Sequence, residues 1–247
     1  MALFEAHNIH KRFGSNVVLE DISLSFEKGQ VSGIMGPNGA GKTTCFHCLT
    51  GHHKTTRGRI VFDGQDITGK APQRIARMGV SRSFQMMNLF DDSAVIENII
   101  LALPDFRRRF SSMFRSVFDD TNLLDQARVI LDQVGLLGQE WQPSLSLSYG
   151  NRRALEIGVA LAANPRIVFL DEPTSGLGAE ATRDLAALIG KLRDTYTIVM
   201  IEHDMRFLFE LADQISVIHW GQVIAQGTPE ELQANKWVQR SPLGKVA

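Results

Sequence analysis

Apolar positions along the 247-residue chain fall into runs of three kinds. Short unbroken runs, at Gln30–Met35, Ile167–Leu170 and Thr197–Ile201, predict strands buried on both faces, as in a parallel sheet. Alternating runs predict half-buried strands. These are Leu3–His10, expected at a sheet edge; Val17–Phe26, followed by the turn Glu27-Lys28-Gly29; and Gly58–Gln65, which contains an Asp-Gly turn. Val80–Phe84 reads as a further strand, and Ile215–His219 with Val223–Ala225 as a last pair around Gly221. Helical spacing covers Thr43–Thr50, closed by Gly51, and Ala71–Met78. From Ala94–Leu101, with Asp92 or Ser93 as cap, helical pattern continues to about Leu137. Asn151–Ala163, ended by Asn164-Pro165, and Glu180–Leu192 follow. Thr228-Pro229-Glu230-Glu231 has the form of a capping box. The expectation is an α/β chain: strands and helices alternate at both ends, and a strandless helical stretch is inserted between them.

Composition narrows this without changing it. Apolar content of 44% and charged content of 21% suit a globular chain. Lys and Arg number 26 against 27 Asp and Glu, so a net charge of −1 gives no reason to expect nucleic acid as a partner. No apolar run approaches the roughly 20 residues of a membrane span. The start, MALFEAHNIHKRF, lacks the apolar core of a signal peptide, so a cytosolic chain is expected. Two cysteines three apart make no disulfide framework.

The chemistry concentrates in Gly36–Thr44, which reads GPNGAGKTT and satisfies G-x-x-x-x-G-K-[ST]. A buried strand feeds it and a helix leaves it. Gly36, Gly39 and Gly41 let the backbone turn close to phosphate oxygens. The free N–H groups and positive dipole end of the following helix face the anion. Lys42 adds charge at the β- and γ-phosphates, and the Thr43 hydroxyl can ligate Mg²⁺. Two more strand ends carry polar groups: Asp171-Glu172 after Ile167–Leu170, and Glu202-His203-Asp204 after Thr197–Ile201. Ligands of open α/β sheets bind at such ends.

Two other features admit competing explanations. Cys45, His47, Cys48, His52 and His53 invite a zinc site, but they sit on or just after the helix that packs the phosphate loop on the sheet. Core packing for the cysteines and solvent for the histidines is the expectation. Phe106, Phe110, Met113, Phe114, Val117 and Phe118 line one helix face, with Arg107, Arg108, Arg109 and Arg115 off it. That stripe is either a partner surface near lipid headgroups or an ordinary buried face.

Taken in order, these signals resemble the nucleotide-binding ATPase of ABC transporters across nearly the whole chain: the phosphate loop, Gln85, a helical stretch, Leu147-Ser148-Tyr149-Gly150-Asn151, Asp171-Glu172 and His203. LSYG, LEIG, IEHDM and IAQGTPEEL are similar to the ATPases of high-affinity branched-chain amino-acid importers, and also to lipopolysaccharide-export and urea or amide importers. The resemblance implies a P-loop NTPase (RecA-like) core over 1–90 and 152–225 with an antiparallel β subdomain. It also implies an α-helical subdomain at about 91–151 and a C-terminal helical tail at 226–247.

It further implies MgATP held by Gly36, Pro37, Asn38, Gly39, Ala40, Gly41, Lys42, Thr43 and Thr44, with Phe13 stacking on adenine. Thr43, Gln85 and Asp171 are implied at the metal. Glu172 is implied as the group that orients and deprotonates water, with His203 and Gln85 as γ-phosphate and water sensors. Ser148, Tyr149, Gly150 and Asn151 are implied to act on the ATP of a second subunit. The implied assembly is a homodimer, or a heterodimer with a related ATPase, on membrane permease subunits at the cytoplasmic face, with an extracytoplasmic solute-binding protein. A soluble ABC ATPase with no membrane partner is the alternative. Three positions depart from the commoner pattern: Tyr149 stands for glycine, Asn151 for glutamine and Gly178 for an aspartate that communicates across the dimer.

Overall fold

The computed structural model describes residues 2–83, 89–109 and 120–235. Two sheets organise it. The first is antiparallel, formed by β1 (Ala2–Phe13), β2 (Asn16–Glu27), β4 (Arg57–Phe62) and β5 (Gln65–Asp66) in the order β2-β1-β4-β5. β1 pairs with β2 on one side and β4 on the other, so it is a central strand and not the edge strand its sequence led us to expect. Alternation reports which face of a strand is buried and is silent about its lateral neighbours.

The second sheet holds β3 (Val31–Met35), β6 (Val80–Arg82), β7 (Ile167–Asp171), β8 (Thr197–Ile201), β9 (Gln214–His219) and β10 (Gln222–Gly227), in the order β10-β9-β3-β8-β7-β6. Its strands are parallel except β10, which returns antiparallel to β9. Every residue of β3, β7 and β8 is buried, which matches their unbroken apolar runs. Parallel order puts the ends of β3, β6, β7, β8 and β9 on one edge of the sheet, so groups 136 residues apart in sequence, such as Met35 and Asp171, are collected there.

Helix α1 (Lys42–Leu49) lies between the sheets. It buries Cys45, Phe46, Cys48 and Leu49. Phe169 of β7 takes Phe4 and Phe46 edge-on, with centroids 5.3 and 5.4 Å away, so an aromatic cluster joins the two sheets. Burial pushes the Cys48 thiol up to about 11 and raises that of Cys45 further, which makes both packing groups. α2 (Pro72–Arg77) precedes β6.

α3 (Val95–Ala102), α4 (Pro104–Arg109) and α5 (Thr121–Gln133) form the helical insertion, against which α6 (Tyr149–Leu161) packs. A Cβ on Gly158 of α6 would stand 3.0 Å from Ile99 Cδ1, so the glycine permits that close approach. Neither Asp92 nor Ser93 caps α3. Its N-cap is Ala94, whose N–H donates to the Glu97 carboxylate at 2.6 Å, so the stabilising group comes from inside the first turn. α7 (Ala179–Leu192), α8 (Met205–Leu211) and α9 (Pro229–Ala234) complete the chain, and α9 carries its expected capping box. α6 begins two residues earlier than the sequence indicated, at Tyr149.

Among the described residues no helix is long and apolar enough to cross a membrane. Of the aromatic stripe, Phe106 packs half-buried on the main core, while Phe110, Met113, Phe114, Val117 and Phe118 lie outside the described residues, as does Gln85.

Candidate functional site

The phosphate loop emerges from β3 and is clamped from below. A Cβ on Gly36 would lie 2.0 Å from the Ile218 carbonyl oxygen. At Gly41 the left-handed backbone (φ 99°) and the nearness of Leu19 Cδ2, 2.8 Å from a Cβ placed there, both demand glycine. The turn between β9 and β10 supports the same loop: Gly221 N–H donates to Ala40 O at 3.0 Å, and Gly221 O accepts from Glu20 N–H at 2.7 Å. The sequence marked this turn by its Gly221 but not its support of the phosphate loop; its Trp220 is exposed with a left-handed φ of 48°.

α1 starts at Gly41 without any side-chain cap, so its first amides depend on another acceptor. Lys42 Nζ donates to Gly36 O at 2.7 Å and Pro37 O at 3.0 Å. Burial pulls its pKa down, opposed by the carboxylates of Glu172 and Asp171. The loop therefore holds a desolvated cation beside open N–H donors, the donor set that a polyphosphate satisfies.

β7 delivers two adjacent carboxyl groups to different environments. Asp171 is 1% exposed. Burial pushes its carboxyl up, and Arg82 opposes the shift from 3.5 Å. Asp171 N–H donates to Ser83 Oγ at 3.3 Å. Glu172 turns out of the strand with φ 46°, a left-handed conformation that costs a non-glycine residue energy. Its Oε1 is 3.9 Å from His203 Nδ1.

The sequence had put Glu202 at a strand end without a role, and it proves structural. Fully buried, its Oε1 accepts from Thr174 N–H at 2.8 Å and Thr174 Oγ1 at 2.7 Å. Its Oε2 accepts from His203 N–H at 3.1 Å. One carboxylate thus ties the turn after Glu172 to the backbone of His203. Asp204 caps α8, accepting from Arg206 and Phe207 N–H groups at 3.0 and 3.2 Å. Arg82, also unforeseen, reaches Asp171 and His47.

Of the histidines expected in solvent, His52 is exposed, whereas His47 and His53 are half-buried and paired. His47 is half-buried, its Nδ1 is 3.3 Å from His53 Nε2, and its ring is 5.9 Å from that of His52. The helix returns on itself through Gly51, and this brings the three rings together. Phe13, at the tip of the β1–β2 hairpin, is 45% exposed.

Ser148 caps α6, its Oγ accepting from Asn151 N–H at 3.2 Å. Tyr149 OH donates to Ser175 O at 3.3 Å, and Asn151 Nδ2 to Gln139 Oε1 at 3.4 Å. These bonds go to α6, to the turn before α7 and to the loop after α5. None goes to the phosphate loop.

A phosphate loop at the carboxyl edge of a parallel sheet, with a buried Asp and a turned-out Glu on a nearby strand, defines a P-loop nucleoside triphosphatase. Residues 19–175 match the ABC transporter family. The chain is 38% identical to the high-affinity branched-chain amino acid transport ATP-binding protein LivG of Salmonella typhimurium, over 99% of this chain and 98% of that one. It is 37% identical to BraF of Pseudomonas aeruginosa, over 99% and 98%. Identity to the lipopolysaccharide export ATP-binding protein LptB of Haemophilus influenzae is 32%, over 99% and 98%. The ADP conformation of MJ1267, an ATP-binding cassette of an ABC transporter, superposes with a TM-score of 0.85 at 29% identity, covering 96% of this chain and 97% of that one. The chain belongs to the ABC transporter ATPase family; it binds nucleotide and hydrolyses ATP.

Proposed function

We propose that the chain is the energy-coupling subunit of an importer of branched-chain amino acids or related small solutes. It works peripherally at the cytoplasmic face of the membrane, on permease subunits that receive cargo from a solute-binding protein. The full-length likeness to LivG and BraF, closer than that to LptB, favours import over export.

In this reading the amides of Gly39–Thr44 and the Lys42 ammonium take the β- and γ-phosphates, with Gly36, Pro37 and Asn38 shaping the loop, and Phe13 receives the adenine. The Thr43 hydroxyl, exposed at the start of α1, and the buried Asp171 carboxylate fit a hard, oxygen-liganded cation. They would hold Mg²⁺, with Gln85 joining them, and the ion would supply neutralisation of phosphate charge. Glu172 accepts a proton as the water oxygen bonds to the γ-phosphorus. The bond from that phosphorus to the bridging oxygen breaks, and its electron pair leaves with ADP. His203, its backbone fixed by Glu202, contacts the γ-phosphate and keeps the attack in line. The left-handed turn at Glu172 carries this assignment, because it takes one of two neighbouring carboxylates out of the strand while the other stays buried.

Ser148, Tyr149, Gly150 and Asn151 complete the site of a second cassette, either another copy or a related ATPase. Two ATP molecules then hold the pair closed, and hydrolysis releases it, a ligand-biased two-state switch. Residues at about 91–151 act as the body that carries Ser148 relative to the core of 1–90 and 152–225, and the tail follows from 226. The testing experiment is Glu172→Gln in the purified transporter. ATP binding is expected to persist while turnover stops; hydrolysis at the parent rate contradicts the assignment.

A further inference from the structure

The surroundings of Phe13 form a backing that phosphate chemistry does not require. The His53 ring meets Phe13 edge-on, with centroids 5.3 Å apart and planes at 81°. Lys11 Nζ lies 4.6 Å from the Phe13 centroid and donates to Lys54 O at 2.8 Å. Arg12 N–H donates to Thr56 Oγ1 at 3.1 Å, and Thr56 N–H to His10 O at 2.8 Å. The segment after α1 is therefore stitched to the end of β1, and His53 is the part of it that touches the ring.

His53 is itself held. Its N–H donates to His47 O at 2.9 Å. A guanidinium only donates, so His47 Nε2, 3.1 Å from Arg82, accepts. Burial, then Arg82, pulls the His47 pKa down to about 4, so the ring is neutral at pH 7. Its one proton then sits on Nδ1 and donates to His53 Nε2. Each partner in the series Arg82, His47, His53, Phe13 orients the next.

We propose that His53, held by His47, is a positioning residue for the nucleotide base: it fixes the plane of the Phe13 ring so that an adenine stacks on it. The inference rests on the reading of Phe13 as the base platform. An aromatic ring at a hairpin tip otherwise samples several rotamers, and stacking on it would first have to order it; an edge-on neighbour removes that cost before the base arrives. The contact works through the base alone, since His53 makes no bond to the phosphate loop.

Calorimetric titration of the full-length chain with MgATP and with inorganic tripolyphosphate, which lacks a base, separates the possibilities. Phe13→Ala tests the platform by itself. It is expected to weaken ATP binding about tenfold or more and leave tripolyphosphate unchanged. His53→Ala is expected to weaken ATP about 3- to 10-fold with tripolyphosphate again unchanged, and His53→Phe, which restores an edge-on ring, to recover most of the loss. If Phe13→Ala shows its base-dependent loss and His53→Ala does not, the positioning role is overturned and the platform stands. If Phe13→Ala binds ATP like the parent, the platform fails and this inference with it. Equal weakening of both ligands by His53→Ala, or no recovery in His53→Phe, also overturns the proposal.

Discussion

Helices α1 and α6 both begin at glycine-containing turns, and their first turns are built in opposite ways. α1 starts at Gly41 with no side-chain cap, beside a buried lysine folded onto carbonyls of its own loop. α6 starts at Ser148, whose hydroxyl satisfies the Asn151 amide. Both present amides at the positive end of a helix dipole. An uncapped start beside a buried lysine leaves donors that an anionic ligand can satisfy, whereas a capped start stands by itself. In the function proposed above, the difference separates a site filled within the chain from a half-site offered to another one. That matches the two duties of an ABC cassette, which grips its own nucleotide and closes over its mate's.

The sharpest break in this comparison comes from Glu172, which belongs to the α1 side. Glu172→Gln is expected to lower ATP turnover by about 10²- to 10⁴-fold, the usual worth of a general base, without loss of ATP affinity. A steady-state ATPase assay beside equilibrium binding decides it, and comparable losses in both would move Glu172 from chemistry to binding. Lys42→Ala removes charge-assisted bonds from the grip itself, so ATP affinity should fall about 10- to 100-fold by titration.

Ser148→Ala acts on the other helix and should look different. In the chain alone, nucleotide affinity stays at the parent value and the lost cap costs about 1 kcal/mol, a drop of about 2–4 °C in Tm by calorimetry. In the assembled transporter turnover falls. A loss of ATP affinity in the isolated chain would erase the distinction between the two helix starts.

A separate effect is a pH dependence of stability around α1. The His47 imidazole titrates at about 4 in the folded chain, against an ordinary value of 6.5 once unfolded. Between those values the unfolded chain binds the extra proton. This contribution to stability is therefore complete above about pH 6.5 and is lost as pH falls toward about 4. Melting temperatures from pH 7.5 to 4.5 should fall less steeply in His47→Leu than in the parent chain; parallel curves would mean that the ring takes up its proton as freely folded as unfolded.

What could be read from the sequence was what is local in it. The phosphate loop, the Asp171-Glu172 pair and the Ser148 loop each occupy a few consecutive residues; the chemistry of the first follows from its spacing, and the roles of the other two were implied by the resemblance to ABC ATPases. Arg82 and Glu202 gained their roles only with the strand order, because each joins segments that the sheet makes neighbours, β6 to β7 and the ends of β7 and β8; the His47–His53 pair forms where the chain turns back at Gly51 after α1. β1 was misplaced for a related reason, since its alternation carries no information about a strand on each side. α8 is only seven residues long and follows a polar cluster that drew attention as chemistry. Asp204 before Met205, Phe207, Leu208 and Leu211 was nevertheless a capping residue ahead of an apolar face.

The claim that everything turns on is that one chain's Ser148 meets nucleotide gripped by another chain's phosphate loop. It can be tested by mixing two single-cysteine variants, Asn38→Cys and Ser148→Cys, each in a Glu172→Gln background with Cys45 and Cys48 replaced by serine, and oxidising the mixture with and without MgATP. The account predicts a disulfide-linked pair of chains that forms with MgATP and not without it. The same yield in both conditions, or no linked pair in either, would contradict it.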